Sequence, residues 1–86
     1  MCLVSVKVRF VGAVSRRTGI SEITLSVKSD IDKAAESVKN EIVARAGNDV
    51  LFNMFINGVN YSLARKSETK VKDGDEFYVV PVIIGG

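Results

Sequence analysis

The first third of the chain alternates between apolar and polar residues, which predicts two strands. Apolar side chains occupy every second position in residues 4–10, and the alternation resumes in residues 22–28. Successive side chains of a strand point to opposite faces of a sheet, so this period of two indicates strands with one buried face. Residues 12–19 begin and end with glycine and are predicted to be a connection, which makes the two strands a hairpin. The predicted inward-facing residues are Val4, Val6, Val8, Phe10, Ile23, Leu25 and Val27.

The pattern changes to that of a helix over residues 31–46. Apolar residues recur there with helical spacing on one stripe, and charged or polar residues cover most of the opposite side. Ser29 or Asp30 is suited to cap the start of this helix, and Gly47 is suited to end it. A helix of this kind must bury its stripe against another element. The stripe consists of Ile31, Ala34, Ala35, Val38, Ile42 and Ala46.

The remainder of the chain is predicted to hold three more strands separated by turns. Asn57-Gly58 follows an alternating run and is the strongest short signal for a hairpin. Asp73-Gly74-Asp75 reads as a turn that begins the last strand, and its two carboxylates are more typical of turns than of metal or acid–base sites. The predicted elements are a strand over 51–56, a short return strand over 59–63, a loop over 64–72 and a last strand over 76–82.

This order of elements predicts the fold class. A hairpin, a helix and three further strands indicate an α+β roll of the ubiquitin-like, or β-grasp, type. Its sheet would be mixed, with four to five strands, one main helix packed on one face and the other face open. We expect residues 1–82 to form this domain and residues 83–86 to form a flexible C-terminal tail.

Length, charge and hydropathy exclude several classes of function. The 86 residues are enough for one domain, and 12 Lys and Arg are interspersed with 10 Asp and Glu to give a net charge of +2. We therefore expect no nucleic-acid partner. The longest apolar run, residues 77–84, is far shorter than the ~20 residues that span a bilayer. No basic segment precedes an apolar stretch at the N-terminus, so neither a signal peptide nor a membrane partner is expected.

Few side chains in this chain are suited to catalysis. There is no histidine and only one cysteine, Cys2, so neither a structural zinc site nor a Cys–His catalytic pair is expected. Cys2 cannot form an internal disulfide, which fits a reducing cytoplasm, and it is either a reactive thiol or incidental. Arg16-Arg17 is suited to an acidic partner, but the interpretation we favour is that of a solvated loop. We predict no catalytic residue, no metal and no bound cofactor.

Alternation along the last strand places a candidate docking surface on the open face of the sheet. Tyr78 and Val80 are predicted to point outward, and Phe55 points outward on its own strand. With Pro81 they would form an apolar partner-binding surface. The alternative is that single exposed apolar residues are ordinary on protein surfaces.

The C-terminal residues form a second candidate site. Gly85-Gly86 follows directly after the apolar run of residues 77–84. Glycine accepts almost any backbone angle and lets another chain approach closely, so this tail is suited to thread a narrow enzyme cleft and present its terminal carboxylate. Val82, Ile83 and Ile84 are predicted to become ordered in extended form inside a partner's groove. The alternative is a frayed end without function.

Three segments together resemble the small sulfur-carrier proteins of molybdenum-cofactor synthesis, which are members of the ubiquitin-like superfamily. The last segment is the most specific of the three, and together they cover nearly the whole chain. The segments are a strand ending in Phe10 with a loop to Thr18-Gly19 and Glu22, the apolar-Asn-Gly hairpin Phe55-Ile56-Asn57-Gly58, and Asp73-Gly74-Asp75-Glu76 followed by an apolar strand, Pro81 and Gly85-Gly86.

This resemblance implies a carrier and not an enzyme. It implies that an E1-like adenylating enzyme uses ATP to activate the carboxylate of Gly86, and that sulfur then replaces the adenylate to give a thiocarboxylate. The large subunit of molybdopterin synthase, or another sulfur-accepting enzyme, would consume that sulfur. The chain would then be a non-catalytic small subunit, with every catalytic group in its partners.

The tail departs from the pattern of that family and leaves other interpretations open. Those carriers commonly have two adjacent prolines and a small residue before the two glycines, whereas here Val82-Ile83 follows Pro81 and the bulky Ile84 precedes Gly85. The apolar pair is similar to the tail of the thiamine-pathway carriers. Two other classes have a similar sequence: ubiquitin-like modifiers joined through their last glycine to target-protein lysines, and phage tail-assembly proteins with a Val-Pro-Val-Ile type of segment.

Overall fold

The computed structural model describes residues 3–67 and 70–82, which form five strands and three helices. In chain order these are β1 (Leu3–Phe10), α1 (Ala13–Thr18), β2 (Glu22–Lys28), α2 (Ile31–Ala46), β3 (Phe52–Ile56), β4 (Val59–Asn60), α3 (Tyr61–Lys66) and β5 (Glu76–Pro81). The strands make one sheet in the order β2-β1-β5-β3-β4. Strands β1 and β5 run parallel and the other neighbours antiparallel, so the sheet is mixed. The predicted ubiquitin-like β-grasp fold is confirmed.

The long helix α2 packs on one face of the sheet and encloses a single core with it. Its predicted stripe is buried: Ala34, Val38 and Ile42 are each 0% exposed. The two central strands contribute the other side of the core through Phe77 of β5 and Val8 of β1, which are also 0% exposed. Burial of side chains of this size contributes about 1.5–3 kcal/mol each. This core fixes which face of every strand is covered.

Local residues define both ends of α2. The Asp30 carboxylate accepts a hydrogen bond from the Lys33 N–H at 3.0 Å, and this bond lowers the pKa of Asp30. Of the two residues predicted to cap the helix, Asp30 therefore has the role. At the other end, the Gly47 N–H donates to the Val43 carbonyl at 2.9 Å. Gly47 has a φ of 89°, a conformation that strains any residue with a side chain.

The prediction of a connection over residues 12–19 is wrong, because this segment forms the helix α1. Val14 and Thr18 lie one turn apart on its inner side, where Val14 is 0% exposed. The Thr18 hydroxyl donates to the Val14 carbonyl at 2.9 Å, so its polar atom is satisfied inside the protein. A helix of 6 residues spans less than two turns, so it leaves too few apolar positions to show a helical period.

Arg17 is correspondingly not part of a solvated loop. Its guanidinium donates to the Ala46 carbonyl at 3.0 Å and to the Asp49 carboxylate at 2.9 Å. These bonds connect α1 to the residues at and after the end of α2. Arg16, on the same short helix, is exposed, and so is Arg17. Arg17 is therefore a surface residue that joins two helices.

The predicted return strand over 59–63 and loop over 64–72 are wrong in part. Strand β4 has only 2 residues, and α3 begins at Tyr61. The Asn60 side chain accepts a hydrogen bond from the Ser62 N–H at 2.9 Å, which favours the first turn of a helix over continued strand pairing. Ala64, 7% exposed, buries the inner side of that helix. Strands β3 and β5 each lie within their predicted ranges, shorter by a single residue.

The predicted turn at residues 73–75 is confirmed and holds β5 beside β1. The Asp73 carboxylate accepts from the Ser5 N–H at 2.7 Å, and the Asp75 carboxylate accepts from the Lys72 N–H at 2.9 Å. Gly74 has a φ of 87°, and its N–H donates to the Ser5 carbonyl at 2.8 Å. Both carboxylates therefore serve the turn, as their sequence pattern predicts.

Two negative findings apply to residues 3–67 and 70–82. No helix there has the length and apolar character needed to cross a membrane. No group of three His, Cys, Asp or Glu side chains is placed so as to hold a metal ion.

Candidate docking surface

The outward face of the sheet carries an aromatic pair at the centre of the candidate surface. Phe55 on β3 lies directly opposite Tyr78 on β5, and Val80 lies two residues further along β5 on the same side. All three are partly buried, while Val79, between Tyr78 and Val80, is 0% exposed on the other side. The structure thus brings together three of the predicted surface residues. Their role in docking stays a prediction.

Charged residues cover the neighbouring part of the same face. Arg9 of β1 is paired in register with Tyr78 on one side and with Glu22 on the other. Its guanidinium lies 3.7 Å from the Glu22 carboxylate and 3.7 Å from that of Glu76, and Lys7 lies 3.9 Å from Glu22. These side chains are each 36–44% exposed, so water screens the ion pairs. The open face therefore has an apolar area over β3 and β5 beside a group of ion pairs that runs from β2 across β1 to Glu76 at the start of β5.

The hydroxyl of Tyr78 is held at the boundary between these two areas. It donates a hydrogen bond of 2.7 Å to the Glu76 carboxylate. That bond raises the pKa of Tyr78, because removing the phenol proton would break it and place two negative charges together. Beside it lies a shallow, open depression lined by Phe55, Asn57, Gly58, Glu76, Tyr78 and Val80.

The fourth predicted surface residue, Pro81, lies at the end of β5 and marks where the chain leaves the sheet. Val82 donates its N–H to the Leu51 carbonyl at 3.2 Å and is 37% exposed. Gly12 packs against Pro81 closely enough that a Cβ on Gly12 would lie 3.4 Å from the proline ring, and its φ of 60° also favours glycine. Val82 is the one predicted tail residue that the structure describes. Ile83, Ile84, Gly85 and Gly86 lie outside the described residues, as does Cys2.

Two exposed apolar residues beside this exit were not predicted. Val11 is 43% exposed and its N–H donates to the Val79 carbonyl at 3.0 Å, and Leu51 is 58% exposed. With Val82 they extend the apolar surface to the end of the sheet. Pro81 pairs with Phe52 and alternates with Val80, so it lies on the opposite side of β5 from Tyr78 and Val80, and its predicted place on the outward face is wrong. The sequence carries a signal for Val11, which follows the inward-facing Phe10 and so must face outward. For Leu51 the outward assignment follows from the alternation of β3.

Three groups in the described residues have a shifted pKa, and each shift has a hydrogen bond as its main cause. Asp30 caps α2, Tyr78 donates to Glu76, and Tyr61 donates to the Asp32 carboxylate, which raises the pKa of Tyr61. The Tyr61–Asp32 pair lines one open depression, and the Tyr78–Glu76 pair lines another.

Comparison with known proteins identifies similar structures. No protein-family model and no curated protein matches the sequence. The solution structure of small archaeal modifier protein 1 from Methanosarcina acetivorans has a TM-score of 0.72 and 24% identity, over 100% of both chains. A putative molybdopterin converting factor subunit 1 from Pyrococcus furiosus has a TM-score of 0.65 and 20% identity, over 93% of this chain and 99% of that one. Urm1 from Sulfolobus solfataricus has a TM-score of 0.66 and 19% identity, over 88% of this chain and 99% of that one.

These similarities extend over the whole domain. The chain therefore has the ubiquitin-like fold of these three proteins. Function is a separate question, because one fold supports several activities.

Proposed function

We propose that this chain is a ubiquitin-like sulfur carrier whose Gly86 carboxylate is activated by a partner enzyme. The carboxylate would attack the α-phosphate of ATP, giving an acyl-adenylate and pyrophosphate. A sulfur donor would then displace AMP and leave a thiocarboxylate on Gly86. The supporting observation is the structural similarity to a small archaeal modifier over 100% of this chain and to a putative molybdopterin converting factor subunit over 93% of it.

The partly exposed apolar surface supports a role that depends on partners. Phe55, Tyr78 and Val80 offer an apolar area on the open face, and the surface continues past Pro81 to Val82, where the chain leaves the sheet. In an enzyme bound to this surface, the position of Val82 would be fixed, and residues 83–86 would extend from that point towards the active site. We propose that Val82, Ile83, Ile84 and Gly85 then lie extended in its cleft, with Gly86 at the reacting atoms.

The proposed partners divide the chemistry between them. An E1-like enzyme would supply the ATP site, so this chain would bind no cofactor itself. As the small subunit of molybdopterin synthase, it would deliver sulfur to the large subunit, which is the acceptor that the converting-factor likeness favours. A carrier with that task would work in the cytoplasm, where ATP and reduced sulfur are available. Catalytic groups would come from these partners.

A second candidate is a protein modifier joined through Gly86 to lysines of target proteins. The specific observation in its favour is the likeness to an archaeal modifier over 100% of both chains. Both candidates require the same activated carboxylate, so they differ only in the group that attacks it: a sulfur donor or a lysine amine.

The first experiment is intact and fragment mass spectrometry of the protein from its native cells. The proposal predicts a population in which sulfur replaces one oxygen of the Gly86 carboxylate. Methionine oxidation adds nearly the same mass, so fragmentation must place the change at Gly86. Gly86 linked to lysines of other proteins would instead establish the modifier.

The second experiment reconstitutes activation with ATP and the host's adenylating enzyme. We expect ATP-dependent pyrophosphate release with the wild-type chain. Deletion of Gly86 should reduce it to background, because the terminal carboxylate would then lie about 3.3 Å short of the α-phosphate of ATP in the enzyme's site. The Cys2→Ser variant is the matched control and should remain active, since it removes the thiol and keeps the carboxylate. Equal activity of the Gly86 deletion would refute the proposal.

A further inference from the structure

Among residues 3–67 and 70–82, strand β2 lies at one edge of the sheet with no strand on its outer side. Its partner is β1, and its 7 residues pair with β1 one to one without a bulge. An edge of this kind presents free main-chain N–H and C=O groups to any strand that can lie beside it. Proline and bulges, which commonly block edges, do not occur in Glu22–Lys28.

The hydrogen bonds around β1 show which residues of β2 face outward. The Phe10 N–H donates to the Ser21 carbonyl at 2.9 Å, which makes these two a hydrogen-bonded pair in the β1–β2 register. Hydrogen-bonded and non-hydrogen-bonded pairs alternate along an antiparallel ladder, so the odd-numbered residues of β2 bond to β1. Consistent with this, Lys7 of β1 and Val11, the residue after β1, direct their N–H groups to the β5 side instead. The residues whose main-chain groups face away from the sheet are therefore Glu22, Thr24, Ser26 and Lys28.

The sequence of β2 is complementary to itself when reversed. It reads Glu-Ile-Thr-Leu-Ser-Val-Lys, with Leu25 at the centre. In an antiparallel pair centred on Leu25, each Glu22 faces the other copy's Lys28, and each Thr24 faces the other copy's Ser26. The outward-facing residues then meet each other in hydrogen-bonded pairs. On the core side, Ile23 faces Val27, and Leu25 faces its own counterpart.

We propose that a second copy of this chain docks edge to edge on β2, antiparallel and about a two-fold axis at Leu25. This inference does not depend on the proposed function. The two sheets would join into one continuous sheet. A two-fold axis perpendicular to it places both α2 helices on one side and both open faces on the other. The surface around Phe55 and Tyr78 would stay uncovered in both copies.

Charge complementarity identifies a second copy as the occupant. Within residues 3–67 and 70–82, Lys28 makes no ion pair, and Glu22 meets Lys7 and Arg9 only at 3.9 and 3.7 Å. The two-fold arrangement places a Lys28 against a Glu22 at each end of the new ladder. Opposite charges directly across a strand pair are favourable, whereas an edge with like charges at both ends would repel a copy of itself.

Partly exposed apolar side chains on β2 would also favour pairing at this edge. Ile23 and Leu25 are only partly buried, although they point to the core side, because no strand covers them beyond β2. Pairing would place Leu25 against the second copy's Leu25 and remove apolar area from water on both chains. The outward polar side chains of Thr24 and Ser26 would stay exposed to solvent on the open face.

Sedimentation velocity from micromolar to millimolar concentration tests the proposal, and we expect a monomer–dimer equilibrium. Thr24→Pro removes an outward N–H that no β1 bond uses, so the monomer should fold while the dissociation constant rises at least about tenfold. Thr24→Val keeps that N–H and is the matched control. A chain that stays monomeric at millimolar concentration overturns the proposal, and so does a dimer that Thr24→Pro leaves unchanged.

Charge reversal tests the register independently of Thr24→Pro. Lys28→Glu places carboxylates opposite each other, and Glu22→Lys does the same with ammonium groups, so each variant alone should be monomeric. Mixed together, the two variants restore an opposite-charge pair at both ends and should form a heterodimer. If the mixture stays monomeric while the wild-type chain dimerises, the antiparallel register is wrong.

A disulfide tests the position of the axis. In a Cys2→Ser background, Leu25→Cys should form a symmetric cross-link on mild oxidation, because residues facing each other across a strand pair lie about 4.5–5.5 Å apart. Ile23→Cys should not, since its two copies would be roughly 13 Å apart along the ladder. Cross-linking of Ile23→Cys in preference to Leu25→Cys would overturn the proposed pairing.

Discussion

At the scale of single residues, short polar side chains determine where the elements begin and end. Asp30 and Asn60 each accept a main-chain N–H at the start of a helix, and Asp73 accepts one from Ser5 on the far side of the sequence. Each bond satisfies a donor that the chain would otherwise leave without a partner. Ser, Asn and Asp are recognisable in a sequence, but the residue with which each one bonds is set by the fold.

The cap at Asp30 predicts a pH dependence of stability. Its folded pKa lies below its unfolded value, so it stabilises the folded state above the unfolded pKa of about 3.9 and loses that contribution as pH falls through the folded pKa. Urea unfolding of the wild-type chain and Asp30→Ser, followed from about pH 6 to about pH 2, measures this. Because serine caps without titrating, we expect the wild-type advantage to shrink on acidification. A constant difference would contradict the role of the cap.

At the scale of elements, sequence periodicity predicts the long helix and the long strands correctly but does not predict the short helices. Helix α2 and strands β1, β2, β3 and β5 repeat their pattern over enough residues for the period to be evident. The helices α1 and α3 have 6 residues each and show no period, so they were predicted as connection, strand or loop. Each combines a local hydrogen bond at one end with a buried residue. In α1 the Gly19 N–H donates to the Ser15 carbonyl and Val14 is buried; in α3 the Asn60 side chain accepts from the Ser62 N–H and Ala64 is buried.

The buried side of α1 predicts a measurable contribution to stability. Val14 is 0% exposed, so Val14→Ala should lower the free energy of unfolding by about 2 kcal/mol, from lost burial and the cavity it leaves. Arg16→Ala, on the exposed side of the same helix, should change it by less than about 0.5 kcal/mol. Guanidinium chloride unfolding compares both with the wild type. If the two substitutions lowered the free energy of unfolding equally, burial of Val14 by α1 would not contribute to stability.

At the scale of the whole molecule, the parallel pairing of β1 with β5 determines where the candidate site lies. This pairing places the final strand in the middle of the sheet, between β1 and β3. Tyr78 thereby lies between Phe55 and Arg9 on the open face, and Val82 leaves the sheet beside Leu51. Neither neighbour of β5 is adjacent to it in sequence. The apolar and ionic areas of the surface therefore exist only in the assembled sheet.

The two faces of β5 predict opposite consequences for neighbouring substitutions. Val79→Asp buries an unpaired charge at a position 0% exposed, and should cost about 4 kcal/mol or more, enough to unfold much of the protein. Tyr78→Asp should leave the fold intact and, under the proposed function, weaken binding to an E1-like adenylating enzyme at least about tenfold. Circular dichroism and titration calorimetry separate these results. Unfolding by Tyr78→Asp would show that the open face is part of the core.

The amino-acid sequence by itself determined the elements that rest on repetition: the alternating strands, the helix over 31–46, the turns at Asn57-Gly58 and at residues 73–75, and from their order the β-grasp fold. It also determined which side of β5 faces outward, because alternation is a local property. Tertiary structure decided the rest: which strands are neighbours, that Phe55 faces Tyr78, that Arg17 bonds to the end of α2, and that β2 is an edge. These features depend on contacts between residues far apart in the chain. The periodicity within one segment carries no information about which distant strand will pair with it.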